Sequence, residues 1–390
     1  MATYSGIKGF TIQSLATDPY ASEVLAGTWA SGGALTTARY QGGSAGTLTA
    51  GLCIGGQVPP RSAVTEEYDG SSWTAGGALN TARYYAVSAG TQTAALLAGG
   101  NVNATPVAYA VTEEYDGTSW TAVNSMQTAA TARAGAGILT AAFGCGGRHG
   151  VTDAYMADME TYNGTSWTET ANLNTAVSNQ SGAGTTTAGL SFAGIRGDPS
   201  LTGNTDATEE WDGTSWAAGG TMTSSNRDRG SSGTQTAALG FGGKGPPSNA
   251  RVAVTEAYDG TTWTEVADLA TARDSGTSAK AGSQTSTFYA GGTTGSAVTT
   301  TEEFTAPSAV SIAQEGQVWY NTTSNVLKGF GAQGSLSWAS GASLTVARQN
   351  LSGAGSGSSS GLAFGGKTDG TSPSVLSEPY DGSSGQKEEI

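Results

Sequence analysis

The side chains best able to do chemistry in this chain are carboxylates, and seven of them recur in one phrase. TEEYDG occupies Thr65–Gly70 and Thr112–Gly117, METYNG Met159–Gly164, and TEEWDG Thr208–Gly213. TEAYDG then occupies Thr255–Gly260, TEEFTA Thr301–Ala306, and SEPYDG Ser377–Gly382. The first acid is kept in every copy (Glu66, Glu113, Glu160, Glu209, Glu256, Glu302, Glu378), whereas the second becomes Thr161, Ala257 or Pro379 in three of them. Acid–base catalysis needs carboxyl groups whose surroundings push their pKa values apart. Seven equivalent glutamates do not supply that difference. Each stands two residues before an aromatic, on the same face of an extended strand. An Arg of the recurring Thr-Ala-Arg element is its expected partner, in a structural role.

Other reactive groups are few. His149, in the loop Arg148-His149-Gly150, is the single histidine and is expected to be a solvent-exposed loop residue. Cys53 and Cys145 fall near equivalent strand ends and read as buried thiols. No metal-ligand spacing, G-x-S-x-G elbow or Cys/His pair is present, and Gly135-Ala136-Gly137 is expected in a turn rather than between strand and helix. The expectation is a protein without catalytic residues, cofactor or metal. A glycan-active enzyme using Asp153, Asp158, Asp198 or Asp206 in the central channel is the minor alternative.

The elements around the phrase repeat too. A Gly pair precedes it (Gly55-Gly56, Gly99-Gly100, Gly146-Gly147, Gly242-Gly243, Gly291-Gly292, Gly365-Gly366), degenerate as Ala193-Gly194. Trp follows the kept Glu by seven in Trp73, Trp120, Trp167, Trp216 and Trp263, with a Trp-to-Trp period of 44 to 49 counted from Trp29. Arg follows Trp by ten in Trp29/Arg39, Trp73/Arg83, Trp263/Arg273 and Trp338/Arg348. Each unit reads as four short strands: Tyr84–Ala89 (a), Thr93–Gly99 (b), Val111–Tyr115 (c) and a strand from Trp120 (d). Asp-Gly between c and d predicts a type I′ hairpin. Four antiparallel strands per unit, repeated seven times, predict an all-β, seven-bladed propeller.

The seventh copy lacks its Trp, and Trp29 lacks its phrase. The N-terminal strand is therefore expected to complete the C-terminal blade. In the sixth copy Glu302 and Trp338 are 36 residues apart, which reads as an insert of about residues 305–334 with a hairpin around Asn321–Asn325. The expected organisation is an arm (1–24), a propeller (25–382) carrying that insert, and a tail (383–390).

In such blades the b–c and d–a loops share one face. The b–c segments vary most, so that face is expected to recognise ligands, with Arg61, Asn103, Tyr109, His149, Tyr155, Arg196, Asp198 and Arg251 as candidates. The opposite face, with arm, insert and tail, is expected to dock, with Trp319, Tyr320, Asn321 and Phe330 as candidates.

Composition agrees with this reading. Glycine is 60 of 390 residues, without the three-residue period of collagen, and charged residues are 12%. Nine Trp, fourteen Tyr and eight Phe exclude a disordered chain. A formal charge of −14 disfavours nucleic acid as partner, and no apolar run is long enough to span a membrane.

The Gly pair, the Tyr-Asp and the spaced Trp resemble the kelch repeat over about Leu25–Gly382. That resemblance implies a propeller in which Trp29, Trp73, Trp120, Trp167, Trp216, Trp263 and Trp338 pack between blades. The near-identical copies, the Gly/Ser/Thr surface and the hairpin look like kelch-like virion proteins of bacteriophages, particularly marine ones. The function so implied is a non-enzymatic structural protein of tail, fibre or capsid exterior, made in the host cytoplasm and located in the virion. It would contact other virion proteins and a host-surface glycan or receptor, and could form a homo-oligomer. An intracellular kelch-type interaction scaffold is the other alternative.

Overall fold

The computed structural model describes residues 27–58, 61–102, 108–196, 203–246 and 248–306, and the backbone of Gln13–Leu15, Val318–Asn321, Val326–Gly329, Ser352–Gly357, Ser360–Phe364 and Ser377–Tyr380. Every regular element among them is a strand. The chain divides into two units, Leu25–Ser308 and Met1–Val24 with Ala309–Ile390.

The first unit is a propeller of six four-stranded antiparallel blades. Blade 1 comprises Gly43–Thr47 (a), Ala50–Ile54 (b), Thr65–Tyr68 (c) and Trp73–Ala75 (d). Blades 2 to 5 repeat it, with innermost strands Val87–Thr91, Ala134–Ile138, Ser181–Gly184 and Gly230–Thr234. Blade 6 combines Thr277–Ser278, Ser286–Ala290 and Thr301–Thr305 with the N-terminal strand Thr28–Gly32. The six innermost strands pack side by side, and the last meets the first.

Two expectations are corrected here. The ring closes with six blades, not seven. The N-terminal strand completes the blade of Glu302 rather than that of Glu378, with Trp29 opposite Phe304. This is the register of Trp73 on Tyr68 and of Trp120 on Tyr115. Trp29 thus fills the seat assigned to Trp338, and residues 305–334 are not an excursion between two strands of one blade. In the second unit, Gln13–Leu15 runs parallel to Val318–Asn321, which pairs antiparallel with Val326–Gly329. The seventh copy forms a separate three-stranded sheet of Ser352–Gly357, Ser360–Phe364 and Ser377–Tyr380, with Glu378 opposite Ala363.

The wedge shape of each blade explains the composition. Inner strands converge on the axis, so they are built from Gly, Ala and Ser, and large side chains of one blade press on glycines of the next. A Cβ on Gly51 would lie 2.3 Å from the ring of Phe288, and one on Gly230 2.9 Å from that of Tyr289. The apolar core lies between blades. Ala45, Leu52 and Ile54 of blade 1 cluster with Tyr115 and Trp120 of blade 2. Trp73, Trp120, Trp167, Trp216 and Trp263 are all buried at such seams. Five indole Nε1 groups donate across a seam to a threonine: Trp29 to Thr255, Trp73 to Thr301, Trp120 to Thr65, Trp167 to Thr112 and Trp263 to Thr208. Where METYNG replaces that threonine with Met159, Trp216 Nε1 has no partner among the described residues.

The Gly pair turns the chain out of strand b. Gly99 (φ 70°) donates to Val111 O, and Gly100 (φ 89°) donates to Ala130 O in the connection entering the next blade. The degenerate copy keeps this conformation, with Ala193 at φ 62°.

The c–d turn differs from the I′ hairpin expected. Tyr68 pairs with Trp73, so four residues make the turn, and Gly70 takes positive φ (92°) while Asp69 does not. The Asp69 carboxylate accepts the N–H groups of Ser71 and Ser72 at 2.8 and 2.7 Å. These contacts, that of Ser72 foremost, hold Asp69 well below the usual carboxylate range, and the same backbone donors lower Asp116, Asp212 and Asp259. A carboxylate whose folded pKa is depressed contributes stability above its unfolded pKa and loses it as pH falls through the folded value. Asn163 makes the same turn without titrating. Asp→Asn at the four positions is therefore expected to flatten the dependence of melting temperature on pH between about pH 5 and pH 2. An unchanged slope would refute this account of the turn.

Candidate functional site

The repeated carboxylates are consumed by the scaffold. Arg39, on the connection entering blade 1, pairs with Glu66 on strand c of that blade, and both are fully buried. Arg83–Glu113 (2.9 Å) and Arg273–Glu302 (2.7 Å) are equivalent. In blades 3 and 5 the residue ten after Trp is Ala130 or Asn226, and the guanidinium comes from three residues further on. Arg133 reaches Glu160 at 3.1 Å, and Arg229 reaches Glu256 at 2.9 Å. The carboxylate seat is thus kept while the backbone position supplying the cation shifts. Blade 4 has Val177 and Gln180 at the two positions, and Glu209, held by Asn174 and Thr175, is half-buried.

The variable second acid has a matching partner. Tyr115 Oη donates to Glu67 of the preceding blade (2.6 Å) and Tyr162 Oη to Glu114 (2.7 Å). Tyr258 and Tyr68 donate in the same way to Glu210 and Glu303. Where the acid is Thr161 or Ala257, the following aromatic is Trp211 or Phe304, neither of which carries a phenol. Burial, then the facing carboxylate, pushes the phenols of Tyr68, Tyr115 and Tyr258 up to about 12.

On the face formed by the b–c and d–a loops, the chain after each Gly pair bridges to the connection entering strand a. Tyr40–Gln57, Tyr84–Asn101 and Arg227–Lys244 are three such pairs. The sequence candidates are spread around this rim and do not converge. Arg61 bridges to Gln57, and the exposed Tyr109 donates its N–H to Gly100 O. His149 is half-buried, with Nδ1 accepting the N–H groups of Val151 and Thr152. Arg148 lies 4.6 Å over the ring of Tyr155. Arg196 pairs through its backbone with Val177. Arg251 forms an ion pair with Asp274 (2.7 Å), shared with Lys244 (3.0 Å). Asn103, Asp198, Phe330 and Trp338 lie outside the described residues, and Trp319, Tyr320 and Asn321 are placed by backbone alone on the Val318–Asn321 strand.

What the loops surround was not legible beforehand. Gln41, Tyr85, Ala132, Asn179, Asp228 and Ser275, one from each blade, all adopt left-handed backbone, with φ between 55° and 60°. Their main chains form a closed ring of hydrogen bonds. Tyr85 N donates to Gln41 O, Ala132 to Tyr85, Asn179 to Ala132, Asp228 to Asn179, Ser275 to Asp228, and Gln41 to Ser275, at 2.7 to 3.0 Å. This annulus, rather than a Tyr84–Ala89 strand, begins the inner strand of blade 2. Asp228 accepts from Asn179 Nδ2 (2.7 Å) and Tyr85 Oη (3.1 Å), and burial raises its carboxyl above the usual range.

Behind the annulus is an axial cavity of about 110 Å³, lined by residues of all six blades including Ser44, Ser88, Ser278 and Lys280. Such a cavity can hold a small polar molecule. Among the described residues no group of three or more His, Cys, Asp or Glu is placed to bind a metal ion.

No family model matches this chain, and no curated protein is significantly similar to it in sequence. Among solved structures it is similar to that described as "Structure of YjhT", with a TM-score of 0.57 and 14% identity over 69% of this chain and 95% of that one. At that identity the likeness establishes the propeller fold alone, and it does not support calling the ring non-enzymatic.

Proposed function

We propose that the chain is a virion structural protein of a bacteriophage, built on a kelch-type propeller whose b–c face binds a host-surface glycan or receptor or a neighbouring virion protein. One observation carries the binding reading. Five of the six repeated carboxylates in the ring are locked into buried ion pairs, whereas the non-repeating polar side chains of the b–c loops are spread around the rim of one face. A scaffold that fixes its acids and varies its loops is suited to recognition rather than turnover. The sheet formed by the N-terminal arm and Val318–Gly329 is the proposed docking element, in keeping with its independence from ring closure.

Two measurements test this reading. Mass spectrometry of purified particles is expected to find the chain in the virion, and its absence would overturn the placement. A glycan array read together with reducing-sugar release is expected to show binding without turnover. Replacing the blade 4 loop Ile195–Ala207 is expected to change that binding while leaving the melting transition in place. Release of reducing sugar from any glycan would assign a glycan-active enzyme instead.

A further inference from the structure

Blade 6 breaks the repeat inside the ring. In blades 2 and 5 the glutamine of the a–b turn lies four positions after the inner-strand serine (Ser88 to Gln92, Ser231 to Gln235), and in blade 6 it lies six positions after it (Ser278 to Gln284). The three glutamines are structurally equivalent. Each donates through Nε2 to two carbonyls of the preceding blade: Gly51 and Tyr68 for Gln92, Gly189 and Trp211 for Gln235, and Ala238 and Tyr258 for Gln284. The two extra residues therefore fall within the turn, and they place Lys280 in the wall of the axial cavity.

Lys280 has no acidic partner there. Its Nζ donates to Ser231 Oγ (2.7 Å) and Gly182 O (3.3 Å), and its third N–H has no protein acceptor among the described residues. The other charged groups lining the cavity are already committed. Arg133 and Arg229 face Glu160 and Glu256 in the walls, and Asp228 is tied to Asn179, Tyr85 and Arg227 at the annulus. Each arginine keeps one buried nitrogen without an acceptor among the described residues, Arg133 Nη2 and Arg229 Nε. The hydroxyl-bearing Ser44, Ser88 and Ser278 complete the wall. Lys280 is half-buried, and a partly desolvated ammonium without a counter-charge is stabilised by losing its proton or gaining an anion; a cavity of about 110 Å³ has room for one.

We propose that the axial cavity is a binding site for a small oxyanion, a carboxylate or an inorganic anion of sulfate or phosphate size, held by the Lys280 ammonium and the serine hydroxyls. The site is a product of the blade 6 insertion, because the five other a–b turns place no cation at this level. Desolvation pushes the lysine down to about 8. The free site therefore carries its full charge below that pH and loses it as pH rises through it. Burial holds the Tyr85 phenol well above its ordinary value, so it stays neutral across this range.

The test uses the full chain, with sulfate as one probe and acetate as the other, titrated calorimetrically at constant ionic strength in chloride. Saturable binding with one site per chain is expected for at least one probe, and the stronger of the two distinguishes inorganic anion from carboxylate. Lys280→Met is expected to weaken it by roughly tenfold or more, the usual worth of a charge-assisted hydrogen bond. In the wild-type chain, raising the pH from 7 to 9.5 should weaken sulfate, which stays doubly charged, by a similar factor. Should Lys280→Met fail to fold, removal of Lys280 and Ala281 restores the turn length of blade 5 and is expected to abolish binding in a folded ring. Binding of equal strength in either folded variant, or no saturable binding of either probe by the wild type, would overturn the proposal.

Discussion

Removal of residues 1–32 is expected to abolish cooperative unfolding of the ring, whereas removal of 309–390 is expected to leave its transition in place. The asymmetry follows from the closure. Thr28–Gly32 lies in register along the whole of Thr301–Thr305 and supplies the outer strand of blade 6. Trp29 packs 5.1 Å from Phe241 and 5.2 Å from Phe304, and its indole donates to Thr255 in blade 5, so one residue ties two blades together. Without it, strand c of blade 6 becomes an open edge and the blade 5–6 seam loses its aromatic filler. Opening one seam of a closed ring also frees the neighbouring inner strands, because the annulus is continuous through every blade. The C-terminal sheets supply no strand to any of the six blades. Thermal or urea unfolding followed by tryptophan fluorescence distinguishes the two truncations. A seven-bladed ring closed by Glu378's strand would reverse the outcome, with the C-terminal truncation as the one that unfolds.

Strands b, c and d were legible to within a residue or two, because strand c and the Trp carry residue types that a blade cannot exchange freely, whereas the start of strand a and the turn type were misplaced. The closure was misread for a definite reason. Trp338 precedes Arg348 by the same ten residues as Trp29 precedes Arg39, so two tryptophans competed for one seat, and spacing along the chain does not say which reaches it. The annulus was invisible for the opposite reason. Its six residues share a backbone conformation and a main-chain hydrogen-bond ring, and neither leaves a mark in side chains as unlike as Gln, Tyr, Ala, Asn, Asp and Ser. Lys280 could have been found by counting, since blade 6 departs from the serine-to-glutamine spacing of blades 2 and 5. The second acid looked merely variable until its partner was placed. It is present where the next blade offers a phenol and absent where that blade offers Trp211 or Phe304. That position is therefore matched to its partner across a seam rather than to its equivalents within the repeat.

The buried arginine–glutamate pairs make the sharpest energetic statement. Arg83→Met is expected to destabilise the ring by about 3–5 kcal/mol. Glu113 is fully buried, and its Oε1 receives Arg83 Nη2 at 2.9 Å while Oε2 receives Asn80 N and Nδ2 at 2.8 Å each. Removing the cation leaves a carboxylate shut away from water with only neutral donors. It also frees the carbonyls of Val111 and Leu97, which the same guanidinium caps. Arg83→Met with Glu113→Leu removes both charges, and should recover much of the loss, because an apolar pair can occupy a buried ion-pair site at little net cost. Blade 4 provides the internal control. Its Glu209 has no arginine and is correspondingly half-buried, so Glu209→Gln should cost at most about 1 kcal/mol. Urea denaturation of the four proteins measures these differences directly. If Arg83→Met were no worse than Glu209→Gln, the pairs would be incidental to the ring. If the double variant were as unstable as Arg83→Met, the lost carbonyl caps rather than the stranded charge would account for the cost.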